Sequence, residues 1–270
     1  MVRLGRKRQA ERADRHELYQ LSVQDPATEI DFVEETWNAQ RQRPAEMLRE
    51  DFCGTAITSC EWVSRDHCHF ATAIDLDGEV LAWGREHNLS RLPRDARERI
   101  RLLQENVIET RPEEADIVLA MNFSYYLFTT RRELLTYFTQ VRAGMAVDGI
   151  FFLDAYGGYD APREIVEKRD CDGFTYVWDQ AAFNPIDGIM TCNIHFEFPD
   201  GSRMEKAFSY DWRLWTLPEI RELLAEAGFA DVTVYWEGTD SESNEGNGIF
   251  EPVEVGDADP GWVCYIVAQG

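Results

Sequence analysis

Apolar positions along the chain form short continuous runs, separated by stretches with helical spacing. The runs at His69–Ile74, Asp116–Met121 and Gly149–Asp154 have the length and composition of strands buried on both faces. Between such runs the apolar residues recur at helical spacing, most clearly over Arg131–Ala143, which predicts a helix there. Strands that alternate with helices are typical of a parallel sheet built from βαβ units.

The same pattern predicts the order of elements through most of the chain. Residues 237–260 are acidic and contain glycine, which predicts a loop. The further strands are expected at Met47–Phe52, Ile100–Leu103, Val232–Trp236 and Trp262–Ala268, and the further helices at Ala56–Ser64, Gly78–Asn88 and Glu219–Ala227.

Two short helices are expected before the first strand. The apolar spacing from Asp14 to Trp37 is helical, and Pro26 interrupts it. We expect residues 1–43 to form an N-terminal helical extension, from which Tyr19 can reach a binding site. The basic residues at the start are not followed by an apolar segment, so no secretory signal is expected.

The pattern changes between the fifth strand and the helix that follows it. Apolar and polar residues alternate strictly over Phe174–Trp178, Met190–Phe198 and Met204–Trp212. This alternation predicts an inserted antiparallel β cap of two or three strands, within residues 157–212, that can enclose a small molecule. His195 alternates with apolar neighbours, so we expect it on the solvated face of the cap.

The chain is strongly acidic, with a formal net charge of −23 at pH 7. A surface of this sign repels phosphates, so nucleic acid is not an expected partner. The six cysteines contain no CxxC pair, which argues against zinc and a disulfide framework and favours a reducing, cytoplasmic location. The apolar runs are far too short to span a bilayer, and no membrane partner is expected.

The stretch Leu48–Val63, LREDFCGTAITSCEWV, indicates a strand end, a tight turn at Gly54 and a helix start. A glycine there lets the backbone approach a ligand, and the first N–H groups of a helix attract a carboxylate or phosphate. Asp75 and Asp77 end the next strand, where a carboxylate can accept both hydroxyls of a ribose. These anchors predict a nucleoside-binding crevice. A dinucleotide fold and a nucleotide-like fold that has lost its ligand remain open.

These residues resemble the motifs of the class I S-adenosylmethionine-dependent methyltransferases. The first motif of that family is an acidic residue followed by Gly-x-Gly-x-Gly. Glu50 stands at the acidic position, and Phe52-Cys-Gly-Thr-Ala56 stands at the glycine positions, of which only Gly54 is kept. The segment AIDLDGEVLAWGREHN resembles the second motif, with Asp75 as the ribose acid and Leu76 as the packing contact for adenine.

Three further segments carry the resemblance over residues 44–156 and 213–270. Gln104-Glu-Asn-Val107 resembles the segment after the third strand, with Asn106 at the position for the adenine amino group. ADIVLAMNFSYYLF resembles the fourth-strand motif, and WTLPEIRELLAEAGFADVTV the common last helix and strand. The resemblance implies an α/β fold with a Rossmann-like seven-stranded, mostly parallel sheet, helices on both faces and an antiparallel last strand. It implies S-adenosyl-L-methionine as the cofactor, bound by Tyr19, Glu50, Phe52, Gly54, Thr55, Asp75, Leu76, Asn106, Val107 and Asn122.

The acceptor side of the reaction is less visible in the sequence. Methyl transfer from a sulfonium is a direct displacement in which the protein mainly aligns the acceptor, so no catalytic residue and no metal ligand is assigned. Two other functions remain open. One is a methyltransferase that acts on protein or RNA, and the other is a non-catalytic binding protein with a degenerate turn. For a small-molecule acceptor, the expected contacts are Tyr125, Tyr126, Tyr156 and Arg213.

Overall fold

The chain divides into two compact units. The computed structural model describes residues 7–110, 114–239 and 246–270. The smaller unit joins the chain up to Gln24 with Tyr159–Leu214, and the larger unit joins Asp25–Gly158 with Trp215–Gly270. The expected N-terminal extension, residues 1–43, is therefore shared between the units, because its two helices bury their apolar faces in different cores.

Helices and strands alternate through the larger unit, as the apolar spacing predicts. None of the helices in the described part of the chain has both the length and the apolar composition needed to cross a membrane. The helices are α1 (Arg15–Val23), α2 (Pro26–Gln40), α3 (Ile57–Arg65), α4 (Gly78–His87), α5 (Arg94–Arg97), α6 (Arg131–Ala143) and α7 (Leu217–Glu226). The strands are β1 (Met47–Asp51), β2 (Phe70–Asp75), β3 (Ile100–Gln104), β4 (Ala115–Ala120), β5 (Met145–Gly157), β6 (Ile165–Cys171), β7 (Phe174–Asn184), β8 (Ile189–Glu197), β9 (Arg203–Arg213), β10 (Asp231–Thr239), β11 (Gly246–Val253) and β12 (Trp262–Gln269).

The larger unit is built on one sheet with the strand order β11-β10-β12-β5-β4-β1-β2-β3. The strands from β5 to β3 in this order run parallel. The last strand of the chain, β12, lies antiparallel between β5 and β10. This arrangement confirms the predicted Rossmann-like α/β fold with an antiparallel last strand.

The sheet has an eighth strand, β11, at the edge next to β10. The predicted loop over residues 237–260 is therefore wrong for Gly246–Val253. Phe250 gives the physical reason, because its ring packs against Tyr265 and Phe32 and so attaches a mostly exposed segment to the sheet. Residues 240–245 of the predicted loop lie outside the described residues.

Different helices cover the two faces of this sheet. Phe152 of β5 packs edge to face against Phe32 of α2, with ring centroids 6.1 Å apart. Its neighbour Phe151 points to the opposite face and packs against Phe138 of α6, with centroids 6.0 Å apart. Successive side chains of a strand alternate between faces. One face therefore carries α2 with α3, which share a core cluster, and the other carries α6.

Helix α2 runs antiparallel to β1, so its first turn points towards the carboxyl edge of the sheet. The C-terminal end of α2 is held at the amino edge, where Trp37 Nε1 donates to the backbone oxygen of Arg43 at 2.7 Å. Arg43 forms ion pairs with Asp116, at the start of β4, and with Asp148, in the first part of β5. These contacts fix the direction in which α2 crosses the sheet.

The smaller unit contains a four-stranded antiparallel sheet in the order β6-β7-β8-β9. The sequence predicts two or three strands, and it misses β6 because that edge strand is mostly charged and exposed. The expectation that His195 lies on a solvated face is wrong. Its ring is 4% exposed, because β8 is a central strand and Asp179 and the backbone N–H of Lys206 contact the two ring nitrogens at 3.3 and 3.0 Å.

A buried ion pair within β1 lies on the face of the sheet that carries α6. Arg49 donates from Nε and Nη2 to the two carboxylate oxygens of Asp51, at 2.7 and 2.9 Å. Both side chains are at most 1% exposed. Tyr137 of α6 donates its hydroxyl to Asp51 at 2.9 Å, and Arg49 also donates to the backbone oxygen of Val107. Charges this deeply buried are tolerated as a pair, since either charge alone is strongly destabilising.

Removal of one partner of this pair is expected to destabilise the larger unit. Asp51→Ala leaves the Arg49 guanidinium buried without a counter-charge, and the free energy of unfolding should fall by about 3–5 kcal/mol. The double variant Arg49→Met/Asp51→Leu removes both charges and should regain most of that loss. Urea unfolding followed by circular dichroism measures both variants. A double variant as unstable as Asp51→Ala would contradict the explanation by charge.

Candidate functional site

The carboxyl ends of β1 and β4 mark the point where the core sheet reverses its strand order. The chain leaves β1 into α3 on one face, and it leaves β4 towards α6 on the other. In open parallel sheets, the crevice at such a reversal is the usual ligand site. The larger unit therefore presents its candidate site at this edge.

The turn between β1 and α3 has a left-handed backbone at three alternate positions. Phe52, Gly54 and Ala56 have φ angles of 56°, 52° and 55°. These are the positions where the resembled motif has its three glycines, and glycine adopts this conformation without a steric penalty. Phe52 and Ala56 each adopt it at a cost of about 1–2 kcal/mol. The turn thus keeps the shape of the motif although two of its glycines are replaced.

Neighbouring elements hold this turn in place. The N–H of Gly54 donates to Asp75 Oδ2 at 2.8 Å, and Asn88 Nδ2 donates to the backbone oxygen of Thr55 at 2.9 Å. Helix α4 can approach Thr55 this closely because Gly84 has no side chain, and a Cβ there would collide with the Thr55 backbone. A Cβ built on Gly54, in contrast, meets no atom within 4 Å. The space beside Gly54 is therefore open.

The side chain of Phe52 does not block that space. Its ring packs against Tyr137 and Phe128, with centroids 5.5 and 6.0 Å away. Tyr137 belongs to α6, so the ring is turned towards the interior on that face. The replacement of the first motif glycine by phenylalanine is accommodated by core packing.

Asp75 ends β2 beside the turn. Its Oδ2 accepts the N–H of Gly54, and its Oδ1 accepts the N–H of Asp77 at 2.9 Å. A carboxylate has about four acceptor positions, so these two hydrogen bonds leave room for the hydroxyls of a ligand. Burial raises the pKa of Asp75 above its usual value, and the backbone N–H groups of Asp77, Gly54 and Leu76 oppose that shift. The group is therefore both fixed in position and able to accept further hydrogen bonds.

Two further predicted cofactor-binding residues lie at the same edge. Leu76 directly follows Asp75 and is 69% exposed. Asn106 follows β3, the neighbour of β2, and its side-chain oxygen accepts the N–H of Ile108 at 3.1 Å. Val107 is buried, and its backbone oxygen is bonded to Arg49. Leu76 and Asn106 thus flank Asp75, whereas the Val107 side chain belongs to the core.

The chain leaving β4 is clamped by a carboxylate of β5. Asn122 and Phe123 both have left-handed backbones, with φ of 59° and 57°. Their N–H groups donate to the two oxygens of Asp154, at 2.7 and 2.8 Å. Asn122, a predicted cofactor-binding residue, therefore lies at the carboxyl edge with a backbone fixed by Asp154.

The predicted acceptor-side tyrosines have different surroundings. Tyr125 and Tyr126 are fully buried, and their hydroxyls donate to the backbone oxygens of Asp154 and Tyr156 at 2.7 and 3.1 Å. Tyr156 is half-buried and lies near Phe123, with ring centroids 4.9 Å apart. Tyr125 and Tyr126 thus fasten the loop after β4 to β5, and Tyr156 is the most accessible of the three.

Two predicted site residues belong to the smaller unit. Tyr19 lies in α1 and packs against Phe208, with ring centroids 4.9 Å apart. Arg213 is the last residue of β9 and pairs in register with Ile189 of β8. Their roles at a binding site stay predictions.

Three buried carboxyl groups share the sheet face that carries α2 and α3. Glu50 aligns through β4 with Phe152, which faces α2, and Asp154 lies two residues beyond Phe152 on the same face. Glu29, in the first turn of α2, is the third. Burial raises the pKa of Glu29 to about 8 and those of Glu50 and Asp154 to about 7. Among the described residues, no lysine or arginine pairs with any of the three. Such a face favours a cationic group and disfavours a phosphate.

The sequence interpretation missed Glu29 as a candidate functional residue and assigned no role to Asp154. Asp154 ends the run GIFFLD, and an acid directly after a buried strand is a usable signal. Glu29 gives no such signal, because one glutamate among several on an N-terminal helix resembles a surface residue. Only the packing of α2 against the sheet buries it.

Comparison with known proteins yields structural neighbours only. No family model and no curated protein matches the sequence. An S-adenosylmethionine-dependent methyltransferase from Clostridium acetobutylicum matches with a TM-score of 0.69 at 16% identity, over 94% of this chain and 96% of that one. The S-adenosylmethionine-bound amino pentose methyltransferase of calicheamicin biosynthesis from Micromonospora echinaspora matches with a TM-score of 0.65 at 16% identity, over 94% and 95%.

A sugar N-methyltransferase from a Streptoalloteichus species matches with a TM-score of 0.62 at 16% identity, over 95% of this chain and 92% of that one. The likeness in each case extends over nearly the whole of both chains. Identities this low establish a common fold. The chain therefore has the fold of the S-adenosylmethionine-dependent methyltransferases.

Proposed function

We propose that this protein is an S-adenosylmethionine-dependent methyltransferase that acts on a small-molecule acceptor. The observation that carries the proposal is the turn with left-handed backbone at Phe52, Gly54 and Ala56, held against the Asp75 carboxylate. Two of these residues adopt a backbone that is sterically unfavourable for them. Retained strain of this kind is typical of a functional turn and argues against a degenerate one.

The residues at the carboxyl edge suit the parts of this cofactor. Asp75 has free acceptor positions for the ribose hydroxyls, and the exposed Leu76 offers an apolar surface to adenine. Gly54 leaves open space for close approach of a ligand to the backbone. The cofactor supplies the methyl group from a sulfonium whose leaving group is a neutral thioether.

The charge of the site also favours this cofactor over a dinucleotide. S-adenosylmethionine carries a sulfonium, an ammonium and a carboxylate at neutral pH, so its net charge is positive. Glu29, Glu50 and Asp154 present carboxyl groups without a cationic partner among the described residues. A nearby cation favours ionisation of these buried carboxyl groups and is neutralised by them, whereas a pyrophosphate would add further negative charge to a site without a cationic partner.

A small amine-bearing molecule, such as an amino sugar, is the proposed acceptor. Two structural neighbours are named for an amino pentose and for sugar N-methylation. The net charge of −23 disfavours RNA as an acceptor. Protein acceptors are the remaining alternative.

The acceptor proposal is tested by following S-adenosylhomocysteine formation with mass spectrometry. We expect turnover of S-adenosylmethionine with amino sugars, and less with matched sugars that carry a hydroxyl in place of the amine. Incubations with RNA, with protein and without acceptor are the comparisons. Turnover with RNA or protein alone would replace the small-molecule proposal by the alternative.

Asp75→Asn is expected to weaken the binding of S-adenosylhomocysteine by about 10–100-fold, because the ribose loses hydrogen bonds to a charged group. The amide also presents a donor towards the N–H groups of Gly54 and Asp77. Isothermal titration calorimetry measures the change. The same substitution at Asp95, which is exposed on α5, serves as the control and should leave the affinity unchanged. Equal affinities for Asp75→Asn and wild type would remove Asp75 from the ribose site.

Gly54→Ala is expected to weaken cofactor binding while lowering the free energy of unfolding only slightly. The new methyl group meets no protein atom, so the left-handed backbone should cost only about 1–2 kcal/mol of unfolding free energy. The methyl occupies the space proposed for the cofactor, so S-adenosylhomocysteine should bind at least about tenfold more weakly. Gly201→Ala is the matched control, since Gly201 also has positive φ and an unobstructed Cβ position. If both variants bind equally well, the open space beside Gly54 is not the cofactor site.

A further inference from the structure

Glu29 carries a buried carboxyl group at the carboxyl edge of the core sheet. Its side chain points from the first turn of α2 to the first turn of α3, where Thr58 Oγ1 donates to Glu29 Oε2 at 3.2 Å. The residue is 8% exposed. A carboxyl group at this depth is destabilising when ionised unless a positive charge lies near it.

Among the described residues, the titratable groups with the largest effects on Glu29 are all acidic. Asp154 lies on β5, Glu50 on β1 and Asp25 at the start of α2, and each raises the pKa of Glu29 in addition to the larger effect of burial. From β12, Tyr265 faces the same group. Within the described residues no cation compensates Glu29.

Glu29 is also the least hydrogen-bonded member of the group. Glu50 accepts both the N–H and the hydroxyl of Ser59. Asp154 accepts two backbone N–H groups, and Asp75 accepts two as well. Glu29 accepts only the Thr58 hydroxyl among the described residues. It is therefore the carboxyl group with the most to gain from an added positive charge.

The position of Glu29 relative to the turn after β1 indicates which group of the cofactor supplies the positive charge. In the proposed cofactor pose the ribose lies at Asp75 on β2, and the sulfonium is joined to the ribose by one carbon. In that pose the rest of the cofactor passes Gly54 and lies over β1, the strand between β2 and β4. Glu29 interacts with Glu50 on β1 and Asp154 on β5, the strands on either side of β4.

We propose that the Glu29 carboxylate is the counter-ion of the cofactor sulfonium and makes the site prefer S-adenosylmethionine to S-adenosylhomocysteine. This inference rests on the proposed function. The two ligands share the adenosine, the ammonium and the carboxylate, and they differ in the methyl group and the sulfonium charge. A counter-ion for the sulfonium discriminates between them, whereas a residue that contacts only the shared parts does not.

The proposal also predicts that Glu29 releases a proton when S-adenosylmethionine binds. Without ligand, the pKa of about 8 keeps most of Glu29 protonated at pH 7. The sulfonium favours the carboxylate, so binding of S-adenosylmethionine moves the Glu29 proton to the buffer. S-adenosylhomocysteine lacks the sulfonium charge, and Glu29 keeps its proton when that ligand binds.

Calorimetric titrations of the full chain at pH 7, in two buffers with different ionisation enthalpies, test the proposal. Wild type should release most of one proton more with S-adenosylmethionine than with S-adenosylhomocysteine. Glu29→Gln should lose that difference and bind S-adenosylmethionine at least about tenfold more weakly, with S-adenosylhomocysteine affected less than about twofold. Glu35→Gln, on an exposed position of the same helix, should behave as wild type.

Glu29→Gln should also change how the stability of the protein depends on pH, and this effect needs no ligand. The folded-state pKa of Glu29 is raised, so its contribution to stability is complete below the ordinary carboxyl pKa and is lost as pH rises through about 8. The glutamine of Glu29→Gln cannot ionise. The thermal unfolding temperature of this variant should therefore fall less steeply than that of wild type between pH 6 and pH 9. A variant with an unchanged pH profile would show that Glu29 is not buried as proposed, and would overturn the inference.

Two binding outcomes separate this inference from the proposed function. If Glu29→Gln weakens both ligands equally, Glu29 contacts a part that they share and the counter-ion proposal is wrong, while the cofactor assignment stands. If wild type binds neither ligand, the proposed function itself fails and the inference fails with it.

Discussion

The left-handed turn between β1 and α3 is the constraint on which the rest of the site depends. Its shape brings the N–H of Gly54 onto the Asp75 carboxylate and begins α3 at the carboxyl edge of the sheet. The steric cost at Phe52 and Ala56 is a property of those two residues, and packing of the Phe52 ring against Tyr137 offsets part of it. Core packing thus maintains a sterically unfavourable backbone conformation in this turn.

The core sheet separates two electrostatic environments. On the face of α6, the buried charges of Arg49 and Asp51 neutralise each other and fasten β1 in place. On the face of α2, Glu50 and Asp154 have backbone or hydroxyl donors, and Glu29 is added to them by the first turn of the helix. Alternation along β1 is the physical reason, since adjacent residues point to opposite faces. One face therefore holds a buried ion pair, and the other holds carboxyl groups that pair with no lysine or arginine among the described residues.

Predictions from the sequence succeed where a side chain's environment follows from its neighbours in the chain. Strands buried on both faces are continuous apolar runs, so β2, β4 and β5 are recognisable, and α6 is predicted at both ends. The edge strands β6 and β11 are missed because their pairing depends on a partner strand more than on their own side chains. The exposure of His195 is predicted wrongly for a related reason, since side chains of the neighbouring strands β7 and β9 contact its ring and bury it.

The sequence by itself determined the α/β order of elements and placed Gly54 and Asp75 at the ends of adjacent strands. Both follow from local pattern, because burial on a parallel sheet and the turn after a strand are encoded in consecutive residues. Only the tertiary structure decided that Phe52 and Ala56 adopt the glycine conformation, and that the Phe52 ring packs inwards. It also decided that Glu29 is buried within electrostatic range of Asp154, because this interaction links residues far apart in the chain.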